Sequence, residues 1–297
     1  VVDFSGSATE DGTASVTGLL FAPNFAFLVS HYTAFAADTT FNDAVVALGY
    51  AVQTKQGAIQ QVAFTDFNND RSNPTAGATV LRDDCCLAQI DQAADGARLE
   101  LTSWNADGAT FTTRDASTSL TASILFIRFD GNRNLQAKVH TIPALTENGG
   151  EHSHQADTFE IDTPFRAEAG FVISTPLTAK NTTERDTLRS KWSHGTIASD
   201  GQASCMSLQA EDAATTTDTR SMHSTAAGSI LNDGGTAIGQ PFAFSAFDLD
   251  HVRFTRTNDT ETADWLGAFV FIGSAGGYDG WIDARSGHRW RRRLARM

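Results

Sequence analysis

The chain carries the same passage twice. Laid over itself at an offset of about 144 residues, the run from Phe21 to Ser30 falls on Phe165 to Ser174, matching Phe21 with Phe165, Phe27 with Phe171 and the closing serines. The register continues through Val80–Ile90 over Arg220–Ile230, Leu99–Thr112 over Phe242–Thr255, and Leu120–Ile127 over Trp265–Ile272. The offset drifts only between 140 and 145, which places small insertions in loops. Fixed-period self-similarity over about a hundred residues means two copies of one folding unit. The overlay keeps apolar positions while chemically active side chains differ. His194, His223 and His251 fall on Tyr50, Asp83 and Gly108. A duplicated scaffold, with no catalytic set held in both copies, is the expectation.

Both copies consist of short apolar runs between Gly, Asn and Asp turn signals. In the first copy these are Phe25–Val29, Asp43–Tyr50, Ile59–Phe64, Leu87–Ile90, Ala97–Trp104, Ala109–Thr113 and Leu120–Phe129. In the second they lie around Phe171–Ser174, Ser204–Ala210, Gly228–Leu231, Phe242–Phe247, His251–Thr257 and Leu266–Ile272. Period-two alternation, as in Ala97–Trp104 and Ser123–Phe129, puts successive side chains on opposite faces of a strand. The predicted fold is all-β, two tandem homologous antiparallel β-sandwich domains of jelly-roll-like form. The predicted organisation is a polar arm over 1–18, repeat one over 19–129, a connector over 130–164, repeat two over 165–273, and a closing segment with a basic tail over 274–297. Phe27, Phe111 and Phe126 should superpose on Phe171, Phe254 and Phe271 as mostly buried rings. Trp104 and Trp265 are expected to face the core. No apolar run approaches the length of a membrane span, and the first residues lack the basic and apolar stretches of a secretory leader.

Charge is segregated. The net charge of −13 divides into a body with 16 bases against 35 acids and a tail holding six arginines and no acid. The tail arginines are Arg285, Arg289, Arg291, Arg292, Arg293 and Arg296. An acidic body repels phosphate backbones, so nucleic acid is not expected as a partner except through the tail. A basic tail is suited to docking on acidic protein, its own or a neighbour's. These six residues are the candidate assembly contacts.

Chemistry-bearing motifs are few. Glu151-His152-Ser153-His154 places two histidines at i, i+2 beside a carboxylate, which makes Glu151, His152 and His154 the candidate metal ligands, but no third protein ligand is identifiable nearby and the expectation is an exposed polar linker with no bound metal. Asp66, Asn68, Asn69 and Asp70 offer oxygens to Ca²⁺ but lack the glycine and distal glutamate of an EF-hand loop. Asn181 and Asn258 begin formal glycosylation triplets. Cys85, Cys86 and Cys205 form no disulfide framework, and the vicinal pair is expected to be two small buried side chains on opposite faces of a strand. No nucleophile elbow, phosphate-binding loop or dinucleotide fingerprint occurs. The expectation is a chain with no cofactor and no enzymatic activity.

A set of positions carries a resemblance: Phe21-Ala-Pro23 before an apolar strand, Leu48-Gly-Tyr50, Asp83-Asp-Cys85, and Asp107-Gly-Ala-Thr-Phe-Thr112. Together they resemble a repeated β-sandwich module of tailed-bacteriophage virion structural proteins. Ala167 and His251 depart from the pattern in the second copy. The resemblance implies a virion component, a part of capsid decoration, collar, tail or fibre, whose partners are copies of itself, other virion proteins and a host surface glycan. Two similar domains in one chain also suggest three chains forming a pseudo-sixfold ring. The alternative is a carbohydrate-binding or adhesin module of an extracellular or surface protein, with hydrolase activity as an added role. Aromatics exposed on one sheet face would favour that alternative, because sugar rings stack on them.

Overall fold

A computed structural model describes residues 1–30, 43–69, 77–90, 95–115, 120–130, 133–143, 157–187, 189–211, 218–231, 238–256 and 264–274. The first half comprises β1 (Val2–Ser5), β2 (Thr13–Val16), β3 (Phe25–Ser30), β4 (Asp43–Gln53), β5 (Ile59–Asn69), β6 (Gly77–Arg82), β7 (Leu87–Ile90), β8 (Asp95–Asn105), β9 (Gly108–Arg114) and β10 (Thr121–Ile127). The second comprises β11 (Arg133–Ile142), β12 (Asp157–Asp162), β13 (Ala167–Thr175), β14 (Glu184–Thr187), β15 (Arg189–Ala198), β16 (Ala203–Glu211), β17 (Asp218–Ser224), β18 (Gly228–Leu231), β19 (Ile238–Phe247), β20 (His251–Arg256) and β21 (Trp265–Ser274). Among the described residues there is no helix. The chain is all-β, with antiparallel sheets arranged as two sandwich halves.

The halves have one topology. The first pairs a sheet β1-β10-β3-β4-β5-β6 with a sheet β2-β9-β8-β7, and the second pairs β11-β21-β13-β15-β16-β17 with β12-β20-β19-β18. Strand for strand these orders are the same, as a duplication requires. Of the matched rings, Phe111, Phe254, Phe126 and Phe271 are buried, whereas Phe27 and Phe171 are only partly covered.

Two corrections follow for the organisation expected from sequence. Residues 1–18 are not a free arm, because β1 pairs with β10 and β2 with β9. The stretch over 130–164 is not a linker alone either, because β11 pairs with β21 and β12 with β20. These are edge strands of their sheets, and polar residues disguised β1, β2 and β12, whereas β11 buries Leu135, Ala137, Val139 and Ile142. β2 alternates Thr13, Ala14, Ser15 and Val16, and only Val16 is buried.

The register also shifts part of the sequence overlay. Val29 pairs with Leu48, and its counterpart Ile173 pairs with His194. His194 therefore corresponds to Leu48, two residues from the position that a constant offset selects. By the same route through β5 and β16, His223 corresponds to Leu81.

The four sheets stack as layers. The inner face of each half's larger sheet meets its smaller sheet, through Leu28, Leu99, Phe111 and Ile124 in the first half and Val172, Phe242, Phe254 and Phe271 in the second. The opposite faces of the two larger sheets meet one another. This explains β21, where seven successive residues from Trp265 are buried. Trp265, Phe269 and Phe271 point into their own sandwich, while Leu266, Ala268 and Val270 point at the other half. A strand covered on both faces loses hydrophobic alternation. β10, covered mainly on one face, keeps it, burying Ala122, Ile124 and Phe126 between less buried neighbours.

Candidate functional site: the seam between the halves

The seam is a feature that neither repeat explains alone. Its centre is aromatic. Tyr50 on β4 lies 5.4 Å from Phe171 on β13, ring centre to ring centre, and His194 on β15 lies 6.4 Å from both Phe27 and Phe171. The Tyr50 hydroxyl and His194 Nε2 are 2.6 Å apart, a hydrogen bond across the seam. Burial raises the Tyr50 pKa and lowers that of His194, since each ionised form would lose hydration there.

Around this centre the seam is closed on one side. Trp192 on β15 packs at 5.3 Å from Phe64 on β5, and Gln60 on β5 accepts a hydrogen bond from the Ala137 backbone amide of β11 at 2.9 Å. On the other side it is less covered. Val29, Leu125 and Met206 are 38%, 39% and 47% exposed, whereas Ile173, Val270 and Phe64, their counterparts in the opposite half, are buried. Trp192 is itself buried, so it adds nothing to an exposed sugar-stacking face. Trp265 is buried and Trp104 packs partly buried against the first core, as expected.

A strand from the second half clasps the first. β14 adds antiparallel to β6, with Glu184 opposite Thr79 and Arg185 opposite Ala78. Before it, Asn181 adopts a φ of 60°, and its amide donates to the Leu81 carbonyl at 2.9 Å. The Asn181 side chain accepts from the Asp83 amide and donates to the Asp83 carboxylate at 2.7 Å, while Lys180 forms an ion pair with Asp83. The acceptor nitrogen of the formal glycosylation triplet is thus engaged in the clasp. The edge of β6, otherwise an open row of donors and acceptors, is covered.

Polar clusters elsewhere are ion-pair networks. Arg82 and Arg98 both bind Asp84 at 2.8 Å, and the two guanidinium groups hold the Asp84 carboxyl below its ordinary range despite partial burial. His251 lies at 2.8 Å from Asp250, 3.0 Å from Asp248 and 3.4 Å from Glu160, with Arg253 bridging Glu160 and Asp248. The hydrogen bond that His251 donates to Asp250, with the neighbouring carboxylates, raises the His251 pKa. Among the described residues, no group of three or more His, Cys, Asp or Glu is placed to hold a metal ion. An open depression of about 720 Å³ is lined by Val139, His140, Pro143, Phe159, Lys180 and Leu266, and a second of about 470 Å³ by Arg166, Glu168, Asp200 and Phe244 among others.

Most of the residues singled out in the sequence fall beyond what the structure describes. Glu151, His152 and His154 lie outside the described residues, as do Asp70, Asn258 and all six tail arginines. Asp66 is buried and accepts a hydrogen bond from Thr79 at 2.8 Å, tying β5 to β6. Cys85 and Cys86 are free and buried, but they lie in the bend between β6 and β7, not on a strand. Cys85 packs with Ala63, Phe67 and Val80, and Cys86 packs in the main core of the first half. Among the described residues no helix is long and apolar enough to cross a membrane. The seam residues Tyr50, His194 and Trp192 were not marked by the sequence as a group. Aromatic residues on neighbouring rows of two copies were the available signal, obscured by the two-residue register shift. Comparison with protein-family models, curated proteins and solved structures gives no match.

Proposed function

We propose that the chain is a non-enzymatic structural component of a phage virion, a part of capsid decoration, collar, tail or fibre, that assembles through its termini with copies of itself and other virion proteins. The observation that carries this reading is the pattern of what the two halves share. They share strand order, core rings and Gly49 with Gly195, whereas His194, His223 and His251 of the second half stand at the places of Leu48, Leu81 and Gly108 in the first. A fold duplicated for its shape keeps its packing positions, while side chains suited to catalysis are free to diverge. The segregated +6 tail on a body of −19 fits docking between subunits, with like-charged bodies resisting random association. Localisation in the virion and a host glycan as a further partner belong to the same proposal.

The seam refines how such an assembly is built. Phe27 and Tyr50 of one half meet Phe171 and His194 of the other through the same face of each sheet. The contact is not reciprocal, because Val29, Leu125 and Met206 are partly exposed whereas their counterparts Ile173, Val270 and Phe64 are buried, so the halves join without twofold symmetry.

The carbohydrate-binding or adhesin alternative draws no support from aromatics: among the described residues, the exposed large hydrophobics are Val1, Leu20, Val29, Leu125, Met206 and Leu249. Electron microscopy of the purified full chain, together with a glycan array, separates the two readings. Ordered multimers, with or without glycan retention, support the structural one. A monodisperse monomer that binds defined sugars overturns it.

A further inference from the structure

We propose that the seam between the halves is a pH-sensitive joint, held closed by neutral His194 and loosened when that imidazole takes a proton. The proposal is independent of the virion reading. Its basis is geometric. His194 projects from β15 into the face where the two larger sheets meet, half-buried, and lies nearly parallel to Tyr50, Phe27 and Phe171 at interplanar angles of 11°, 21° and 13°. Its hydrogen bond to Tyr50 is with a residue of the other half. With Nε2 unprotonated, the tyrosine hydroxyl donates to it. Protonation makes Nε2 a donor, so the tyrosine oxygen must become the acceptor and turn its hydrogen into an apolar seam.

The surroundings offer a proton little stabilisation. By register, the titratable side chains sharing these faces are Asp3 on β1, Tyr50 on β4, Asp66 on β5, Glu184 on β14, Arg133 on β11, which forms an ion pair with Glu168, and His223 on β17, which lies beyond Met206. Asp66 is engaged by Thr79. No carboxylate contributes to the shift at His194, which burial alone drives downward. The opposite case is on the same molecule: His251, among three carboxylates, is shifted upward. The sign follows from linkage. The opened seam binds the proton more readily than the closed one, so closure weakens as pH falls below the ordinary histidine value of 6.5 and stops weakening below the lowered value of the closed state. The pi faces of three rings attract a cation and offset part of this loss.

The test is hydrogen exchange of the full chain, read by mass spectrometry between pH 8 and 5 and corrected for intrinsic rates, beside an NMR titration of the His194 ring. In the wild type, peptides spanning β3, β4 and β15 should exchange faster as pH falls, by up to about tenfold per pH unit over the linked interval, with peptides of β8 and β9 unchanged. His194→Gln, which keeps a hydrogen-bonding side chain but not the titration, should abolish the response. Equal responses in wild type and variant overturn the proposal, as does slower exchange on acidification. If the variant does not fold, the wild type decides alone: loosening must follow the His194 titration, and a midpoint displaced from it contradicts the joint.

Discussion

Gly49 and Gly195 stand at the same point of the two sandwiches, each beneath a backbone carbonyl. Gly49 is opposite Leu28 and Gly195 opposite Val172, so the two are register equivalents. A Cβ on Gly49 would lie 1.7 Å from the Cys86 oxygen, and one on Gly195 would lie 2.0 Å from the Ala227 oxygen. Both glycines let the crossing chain sit directly on the larger sheet. Gly49→Ala and Gly195→Ala should each lower stability by at least about 1–3 kcal/mol, because the obstacle is backbone and not a side chain that can swing away. Urea denaturation measures this, and a variant as stable as wild type would exclude the close approach.

Trp192 tests whether the halves stabilise one another. It is buried against Phe64 of the other half. Trp192→Ala should cost about 3–5 kcal/mol and split a single unfolding transition into two, because the lost contacts join the halves and do not belong to either core. Calorimetry gives the answer: one undivided transition at the wild-type temperature contradicts a cooperative seam.

How far the fold could be read from the sequence depended on which face a strand buries. β10 and β20 are covered mainly on one side, so their alternation was visible, and the Phe111 to Phe254 match led to the duplicated topology. β1, β2 and β12 are edge strands, and polar residues on an edge look like linker. The seam was hidden for a different reason. Tyr50 and His194 lie on neighbouring rows of the two sheets and meet only because the sheets face one another, a long-range relation that periodicity does not encode. Trp192 has no aromatic partner nearby in sequence, because Phe64 meets it from the other half.

The clasp has its own signature. Asn181 tolerates positive φ and also bonds Asp83 through its side chain. Asn181→Ala should lose about 1–3 kcal/mol from backbone strain together with the lost hydrogen bonds. Asn181→Gly should recover part of it, because glycine relieves the strain without restoring the bonds. Thermal unfolding of the three proteins gives the order wild type, glycine, alanine. Alanine equal to glycine would remove the backbone argument.

The vicinal cysteines should be chemically silent. Cys85 and Cys86 are buried, and burial pushes both thiols well above the ordinary cysteine range. A thiolate is the reactive form. Alkylation at neutral pH should modify neither residue in the native chain and both in urea. Rapid native labelling of Cys85 or Cys86 would reopen a redox role.

The central claim, that this is an assembly protein joined through its basic tail, is tested most directly by sedimentation velocity of the full chain and of a chain lacking Arg285–Met297, over a concentration series at physiological salt. The account predicts that the full chain forms defined multimers, that the shortened chain sediments as a folded monomer with an unchanged circular dichroism spectrum, and that raised salt moves the full chain toward the same monomer. Equal association by both chains, or a full-length chain monomeric at every concentration, would contradict it.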